Sequence, residues 1–303
     1  MSGKRRPMGT MARREAVEGY LFVTPLLIGL AFFAAFPMIA SMAMSFCKYD
    51  IFTAPKFIGA GNYIELSHDP MFWQSLKVTV IYSFVSVPLG LTLGLAVALL
   101  MNQKIKGIAV FRTIYYLPAV VSGVAVALLW IWIFDPSYGL GNVVLRGLGL
   151  PGSQWLSHPK TALLSLIVMS LWGVGGGMVI YLAGLQSVPQ HLYEAADLDG
   201  AGLLMKFRHV TLPMLTPVIF YNLIMGIIGS FQVFTQAFVM TSGGPVNSTL
   251  FYVLYLFRQA FNYYRMGYAS AMAWVLFAII LVLTLLVFKS SALWVYYEGD
   301  RRR

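Results

Sequence analysis

The chain carries a compact acidic stretch, YEAADLDGAG at residues 193–202, between two long apolar runs. Three of its ten side chains are carboxylates, Glu194, Asp197 and Asp199, and two are glycines. A solvated loop explains these acids without any partner. A surface that docks another protein explains the acids together with the small alanines and the helix–glycine–helix layout. From the residues alone, both interpretations stay open.

Other groups that could support catalysis are not arranged for it along the sequence. Nothing matches the phosphate-binding pattern G-x-x-x-x-G-K-[ST], and the glycine-rich GVGGG at residues 173–177 lies in an apolar run with no lysine after it. The one cysteine, Cys47, excludes a disulfide framework within the chain. The four histidines are scattered over predicted loops, at His68, His158, His191 and His209. The sequence therefore predicts no enzyme, no metal site and no cofactor held by this chain.

The elements around the acidic stretch are strongly apolar. Hydrophobic residues make up 59% of the chain and the mean hydropathy is +0.75, whereas soluble domains are about 45–50% apolar. A helix needs about 20 apolar residues to cross a bilayer. Six runs are long enough, at residues 20–46, 76–101, 117–134, 162–185, 214–240 and 268–294. We therefore expect an all-α integral membrane protein with six transmembrane helices.

The first of these runs also has the charged lead of a secretory signal. Its apolar part is far longer than the about 7–15 residues of a signal peptide, which favours a retained first helix. None of the six runs contains Asp or Glu. Because ionisable groups inside the membrane mark proton relays, their absence argues against a proton pump or a proton-coupled carrier. It argues less strongly against a sodium-coupled carrier, which can use backbone carbonyls.

The net charge of +10 indicates topology rather than binding to nucleic acid. Fourteen of the 21 lysines and arginines fall in the two termini and in the second and fourth loops, and seven fall on the opposite side. Basic residues concentrate on the cytoplasmic side of membrane proteins. This bias places both termini in the cytoplasm, together with the acidic stretch between the fourth and fifth spans.

The residues around the acidic stretch predict two short helices joined at a glycine. In SVPQ (187–190), Ser187 is expected to cap the first helix and Gln190 to complete a capping box, with Pro189 in the first turn. Gly200 is placed to end this helix, because glycine adopts the left-handed conformation found at many helix ends. A second short helix over 202–210 then leads into the fifth span, with Pro213 near its start.

The loops on the side opposite the termini, at 47–75, 135–161 and 241–267, carry aromatic residues, glycine and proline rather than runs of charge. The stretches 57–66 and 131–156 are expected to be ordered and rich in turns and short helices. The segment 251–271 is aromatic and amphipathic. Because tyrosine and tryptophan favour the membrane interface, we expect it to lie along the outer interface. A surface that binds another protein is the alternative for this segment.

Polar side chains interrupt the fifth apolar run at helical spacing. One face of that helix should hold Asn222, Met225, Gly229, Gln232 and Gln236. Polar groups are costly in lipid, so this face is expected to look into protein or water. A solute pathway and helix–helix hydrogen bonds use the same residue types, and both stay open here.

The segment EAADLDGAGLLMKFRHVTLPMLTPVI at 194–219 resembles the EAA signature of the membrane subunits of bacterial ABC importers, E-A-A-x-x-x-G-A-x-x-x-x-x-F-x-x-x-x-L-P. The matching positions are Glu194, Ala195, Ala196, Gly200, Ala201, Phe207, Leu212 and Pro213. The stretch 241–273 is similar to the carbohydrate-type branch of that family, which includes the larger membrane subunit of maltose importers. IGAGNY (58–63), FRTIYYLP (111–118) and WVYYEG (294–299) extend the likeness. Six spans instead of that subunit's eight leave out its extra N-terminal helices and large outer domain.

This resemblance implies the type I ABC importer permease fold, in the bacterial cytoplasmic (inner) membrane. A cytoplasmic segment (1–19) would precede the six-helix permease domain (20–294), which contains the EAA loop (187–212), and a cytoplasmic tail (295–303) would follow. The implied partners are a second homologous permease subunit, two copies of a cytoplasmic ATPase that binds ATP and Mg, and an extracytoplasmic solute-binding protein. The implied function is ATP-driven import of a sugar or oligosaccharide by alternating access.

The same resemblance implies roles for individual residues. Those expected to couple the permease to the ATPase are Glu194, Ala195, Ala196, Asp197, Gly200 and Ala201. Along the substrate pathway, Trp172, Gly173 and Ser230 are expected from their positions in the family. Asn222, Gln232 and Gln236 are expected there because they share the polar face of the fifth span. Glycerol 3-phosphate or a related polyol phosphate is the alternative cargo. A self-sufficient secondary carrier is the more distant alternative.

Overall fold

The structure is a computed structural model, and it describes residues 10–103 and 105–296. Several basic residues behind the predicted topology, at positions 4–6, 104 and 301–303, lie outside the described residues. So do most of the predicted tail and the end of the WVYYEG motif. The described chain is almost entirely helical, as predicted.

The first membrane helix starts ten residues before the predicted span. It consists of α1 (Thr10–Leu30), a π-helical turn (Ala31–Ala35) and α2 (Phe36–Ser45). Its apolar side chains are exposed, for example Phe22 and Phe33, which is the surface expected of a helix bathed in lipid. A short antiparallel hairpin of β1 (Cys47–Lys48) and β2 (Lys56–Phe57) follows, and then α3 (Gly61–His68). The first predicted outer loop is therefore ordered.

The second span is α4 (Pro70–Met101), which begins six residues before the predicted start and ends at the predicted residue, Met101. Asp69 caps its first turn by accepting a 2.8 Å hydrogen bond from the Met71 amide. At the other end, the Arg112 guanidinium donates two bonds, of 2.8 and 3.1 Å, to the Met101 carbonyl. Arg112 therefore satisfies a carbonyl that the helix end leaves without an intrahelical partner.

The third and fourth spans are broken helices. In the third, α5 (Ile108–Val120) meets α6 (Gly123–Ile133) at a bend of 100°. The predicted span over 117–134 is therefore not one continuous helix: it contains the end of α5 and all of α6, and the backbone of Val121 and Ser122 interrupts it. After α7 (Leu140–Gly147), the fourth span joins α8 (Pro159–Trp172) to α9 (Gly175–Ser187) at a bend of 43°.

The short helix α10 (Gln190–Leu198) lies between the fourth and fifth spans, as predicted. The expected second short helix is not a separate element. Instead α11 (Leu203–Lys206), a π-helical turn (Phe207–Thr211) and α12 (Leu212–Phe231) form one continuous helix of 29 residues. Pro213 does not break this helix. It stands in the first turn of α12, directly after the π-helical turn, where a proline without an amide hydrogen is tolerated.

The last elements are α13 (Tyr252–Phe257) and α14 (Met266–Trp294). Counting each bent pair as one span, the described residues provide six apolar segments long enough to cross a membrane. The predicted class, an all-α membrane protein with six spans, is confirmed.

The chain divides into two compact units. The smaller holds the described residues up to Leu66 together with Gln259–Trp274, and the larger holds Ser67–Arg258 and the residues from Val275 onward. In the larger unit, α4, α9 and α12 meet around a buried cluster of Val97, Ala98, Met101, Met178, Tyr181, Leu185 and Leu215.

The first part of the aromatic segment after residue 250 is buried in the core. Phe251 and Tyr252 are fully buried, and their rings make edge-on contacts with Tyr82 and Phe72 of α4. The amide of Tyr252 also donates a 2.9 Å bond to Thr79 Oγ1. These two rings are therefore packed against α4 instead of being exposed. That the segment lies along the outer interface stays a prediction.

Two neighbouring glycines provide a test of how tightly α5 and α9 pack. A Cβ at Gly175 would clash with the backbone carbonyl of Tyr115, whereas a Cβ at Gly176 would meet only Ala119 Cβ at 3.9 Å. We expect Gly175→Ala to lower the free energy of unfolding by about 2 kcal/mol, because a backbone carbonyl cannot move aside as a side chain can. Gly176→Ala is the matched control. Thermal unfolding in detergent should separate the two, and equal melting temperatures would contradict the close packing.

Candidate functional site

The larger unit contains an open cavity of about 470 Å³ between α4, α12 and the α8–α9 break. Its wall includes the glycines at the break and a set of hydroxyl, amide and aromatic side chains. The polar and aromatic members are Tyr82, Ser86, Ser170, Tyr181, Tyr221, Asn222, Ser230 and Gln236. None of the described lining residues carries a charge. Such a wall suits a neutral solute rich in hydroxyl groups, which both donates and accepts hydrogen bonds.

Four of the six residues expected along the substrate pathway line this cavity, namely Gly173, Asn222, Ser230 and Gln236. Asn222 is almost buried, and its amide group donates a 2.9 Å bond to the Val218 carbonyl one turn earlier. This hydrogen bond fixes the orientation of the Asn222 amide group. Gly177 lies opposite, with the Asn222 Oδ1 3.5 Å from where a Cβ would be.

Ser230 also joins two helices. Its Oγ lies 2.6 Å from the Ser83 Oγ of α4, and both residues are buried. The hydrogen-bonding interpretation of the polar residues in the fifth span therefore holds for Ser230, although this residue also reaches the cavity wall. The same side chain thus fixes α4 against α12 and contributes to the lining.

Trp172 and Gln232 lie outside the cavity lining. The predicted shared face assumed one helix from Asn222 to Gln236, but α12 ends at Phe231 and Gln232 leaves the helical conformation with its side chain exposed. The chain then returns Gln236 to the cavity through a new helical turn. Trp172 packs edge-on against Trp130, with ring centroids 6.0 Å apart.

The wall supplied by α4 was missed from the sequence. Tyr82, Ser86 and Gly90 recur every four residues and so share one face of that helix. This spacing was a usable signal, but small and hydroxyl residues also serve ordinary helix packing in membranes. Only the long-range pairing of α4 with α12 makes the face part of a cavity.

The structure corrects how α10 begins. Ser187 belongs to the last turn of α9, where its hydroxyl donates a 2.8 Å bond to the Gly184 carbonyl. Pro189 occupies the capping position without a side-chain cap, so the predicted capping box is wrong. Gln190 instead donates to Glu194 Oε1 at 3.1 Å, one turn along α10.

The structure confirms that Gly200 ends this helix. Gly200 has a φ of +75°, its amide donates to the Asp197 carbonyl at 3.0 Å, and the Ala201 amide reaches the Ala196 carbonyl at 2.9 Å. A left-handed glycine with this pair of bonds is a common way to end a helix. The chain is thereby turned straight into the long helix that begins at Leu203.

Two side-chain contacts hold α10 against that long helix. Lys206 forms an ion pair with Asp197, and the Tyr193 hydroxyl lies 2.9 Å from the Thr211 Oγ1. From the sequence alone, Asp197 could have been an acid in contact with solvent only. The structure instead pairs it with Lys206. The two contacts join the middle and the last turn of α10 to the helix that runs from Leu203 to Phe231.

The remaining surface of this element is unusually apolar for a charged loop. Leu198, Leu203 and Leu204 are 90%, 87% and 79% exposed, and Met205 is 56% exposed. Ala195, Glu194 and Asp199 are exposed beside them. Exposed apolar side chains ringed by polar residues mark protein or membrane interaction sites.

Comparisons with known proteins identify a family and several relatives with similar sequences. Residues 90–295 match the family described as "Binding-protein-dependent transport system inner membrane component". A probable ABC transporter permease protein, YesP of Bacillus subtilis, is 46% identical over 292 residues, covering 95% of this chain and 94% of the relative. The trehalose/maltose transport system permease protein MalF of Thermococcus litoralis is 37% identical, covering 91% and 94%.

A solved structure shares the fold over nearly the whole chain. It is the crystal structure of a bacterial alginate ABC transporter in complex with an alginate pentasaccharide-bound periplasmic protein. One of its chains superposes with a TM-score of 0.81 at 25% identity, covering 92% of this chain and 95% of that one.

Proposed function

Because this chain belongs to the family of binding-protein-dependent transport system inner membrane components, we propose that it forms the half-pore through which an ABC importer moves a neutral sugar or oligosaccharide. Members of the family are permease subunits of ABC transporters and are not enzymes. Several relatives are sugar permeases, and one is named for trehalose and maltose. The chain is accordingly a multi-pass membrane protein of a sugar importer.

The uncharged lining of the 470 Å³ cavity carries the choice of a neutral cargo. An anionic cargo such as glycerol 3-phosphate would favour a lysine or arginine at its site, as phosphate recognition in proteins commonly does. The described lining residues include neither. The hydroxyls of Tyr82 and Ser86 and the amide groups of Asn222 and Gln236 instead match the hydroxyl groups of a sugar ring.

We propose α10 and the exposed leucines beside it as the surface that an ATPase subunit engages. Glu194, Ala195, Ala196, Asp197, Gly200 and Ala201 form or border this surface. The Asp197–Lys206 and Tyr193–Thr211 contacts support the assignment, because they make α10 and the cavity-lining α12 one mechanical unit. Movement of the ATPase would then reach the cavity directly.

The proposed assembly contains this chain, a second homologous permease subunit, two ATPase copies holding ATP and Mg, and an extracytoplasmic binding protein. Both termini and α10 are proposed to lie in the cytoplasm, as the distribution of basic residues indicates. We propose that the chain consists of an N-terminal segment (1–19), the permease domain (20–294) and a C-terminal tail (295–303). The candidate span that contains the first membrane helix covers Arg13–Ser45.

Cargo charge can be tested in proteoliposomes that hold the assembled transporter. We expect Asn222→Asp to lower uptake of the neutral sugar by roughly tenfold, because an unpaired carboxylate in the wall is costly to desolvate when the cargo enters. Asn222→Gln keeps the amide and is the control. Wild-type uptake of glycerol 3-phosphate in preference to trehalose, maltose or lactose would contradict a neutral cargo.

A further inference from the structure

The smaller unit contains a second cleft, of about 340 Å³, that the function proposed above does not use. Three segments line it: the hairpin region after α2, the helix α3, and the chain that leads into α14. The lining residues are Lys48, Tyr49, Asp50, Ile58, Asn62, Glu65, Tyr263, Tyr264, Arg265 and Tyr268. None of them lines the cavity of the larger unit.

The charged groups of the cleft balance in sign, and hydrogen bonds hold Glu65, Arg265 and Asp50 in place. Both Glu65 carboxylate oxygens accept from Arg265 Nη2 at 2.6 Å, and the Arg265 guanidinium lies 4.4 Å from the centre of the Tyr268 ring. Across the cleft, Asp50 accepts two 2.8 Å bonds from the amide and hydroxyl of Thr53, which lower the pKa of Asp50. With Lys48, the wall has two groups of each sign and no net charge.

The side-chain amide of Asn62 is also held by hydrogen bonds. It is buried, and it donates both of its hydrogens, at 2.8 and 2.9 Å, to the carbonyls of Ser45 and Cys47. Asn62 also contributes to the wall of the cleft. Donors and acceptors that are fixed before a ligand arrives reduce the entropy cost of binding.

Exposed aromatic rings stand at the mouth of the cleft. Tyr263 and Tyr264 are 60% and 46% exposed, and the Phe52 ring contacts Tyr264 edge-on at 5.2 Å between centroids. Tyr264 has a φ of +55°, in a region that non-glycine residues rarely adopt. Strained backbone of this kind clusters at ligand sites, where the surrounding structure holds it.

We propose that this cleft is a second saccharide-binding site of the protein. A sugar ring presents hydroxyl groups to the fixed donors and acceptors and a flat C–H face to the tyrosines, and its neutrality matches the balanced charge. A phospholipid headgroup fits less well, because its phosphate would have to displace Glu65 from Arg265. The choice of a sugar rests on the function proposed above.

The site is tested on the assembled transporter in nanodiscs, without the binding protein, by equilibrium dialysis with radiolabelled trehalose, maltotriose and lactose. We expect saturable binding of at least one sugar that survives Gly229→Trp, a change confined to the other cavity. Combining Lys48→Ala with Tyr263→Ala should weaken this binding by roughly tenfold. Tyr263→Trp, which keeps a ring face, should retain it.

Phe57→Ala is the matched control, because Phe57 is an exposed ring of the same hairpin that does not line the cleft. No saturable binding of any of the three sugars would overturn the proposal, and so would binding that Gly229→Trp abolishes while the cleft variants leave it intact. Loss of a tightly held phospholipid from the cleft variants in native mass spectrometry, with sugar binding unchanged, would assign the cleft to lipid and overturn it. Intact cleft binding in a transporter that moves no sugar would instead overturn only the proposed function.

Discussion

Gly229→Trp is expected to stop sugar uptake while leaving the protein folded and inserted in the membrane. Gly229 lines the cavity of the larger unit, and a Cβ added there would meet nothing within 4 Å. An indole group would therefore project into open space rather than into packed neighbours. It would occupy much of the volume that the solute needs, so uptake should fall by at least about tenfold, equivalent to about 1.4 kcal/mol on the transport barrier.

Gly229→Ala is the control. It adds only a methyl group to the same open space, so this variant should transport sugar normally. ATP hydrolysis stimulated by the sugar-loaded binding protein should survive in both variants, because Gly229 is distant along the chain from α10 and leaves its contacts unchanged. Normal uptake by the tryptophan variant would show that the solute does not pass through this cavity.

Gly200→Pro is expected to stop uptake for a different reason. Proline fixes φ near −65°, whereas Gly200 has a φ of +75°, and proline cannot donate the bond that the Gly200 amide makes to the Asp197 carbonyl. The turn between α10 and the long helix should therefore open, at a cost of about 3 kcal/mol. Uptake and binding-protein-stimulated ATP hydrolysis should fall together, by about tenfold or more. Purification with the ATPase shows whether docking is lost.

Gly200→Asn is the control for this variant, because asparagine tolerates the left-handed conformation and keeps its amide hydrogen. Two further variants test which carboxylate contacts the ATPase. Glu194→Lys should weaken binding of the ATPase, whereas Asp199→Lys should leave the ATPase bound. Full uptake by both Gly200→Pro and Glu194→Lys would contradict the assignment of α10 as the coupling element.

Much of the fold could be predicted from the sequence, because lipid imposes a simple requirement on length and polarity. Six apolar segments, the short helix α10 and its end at Gly200 were all predicted. The failures lie where local signals compete with packing. Ser187 has the side chain of a helix cap but bonds back to Gly184, because α9 continues to that point.

The candidate site was harder to predict, because it depends on contacts between distant segments. Helical spacing placed Gln232 with Asn222, but the helix ends between them. The aromatic pattern that begins at Phe251 indicated an amphipathic surface segment, but α4 covers Phe251. The cleft of the smaller unit also escaped prediction, since Glu65 and Arg265 are 200 residues apart in sequence.

The central claim is that this chain imports sugar as one part of an ATP-driven assembly. Its most direct test is accumulation of the sugar in proteoliposomes holding this chain, its permease partner and the ATPase, with the loaded binding protein outside and ATP inside. We expect the sugar to accumulate above its outside concentration, and this accumulation to disappear when ATP or the ATPase is omitted. Concentrative uptake by this chain alone, unaffected by the absence of both, would contradict it and identify a secondary carrier.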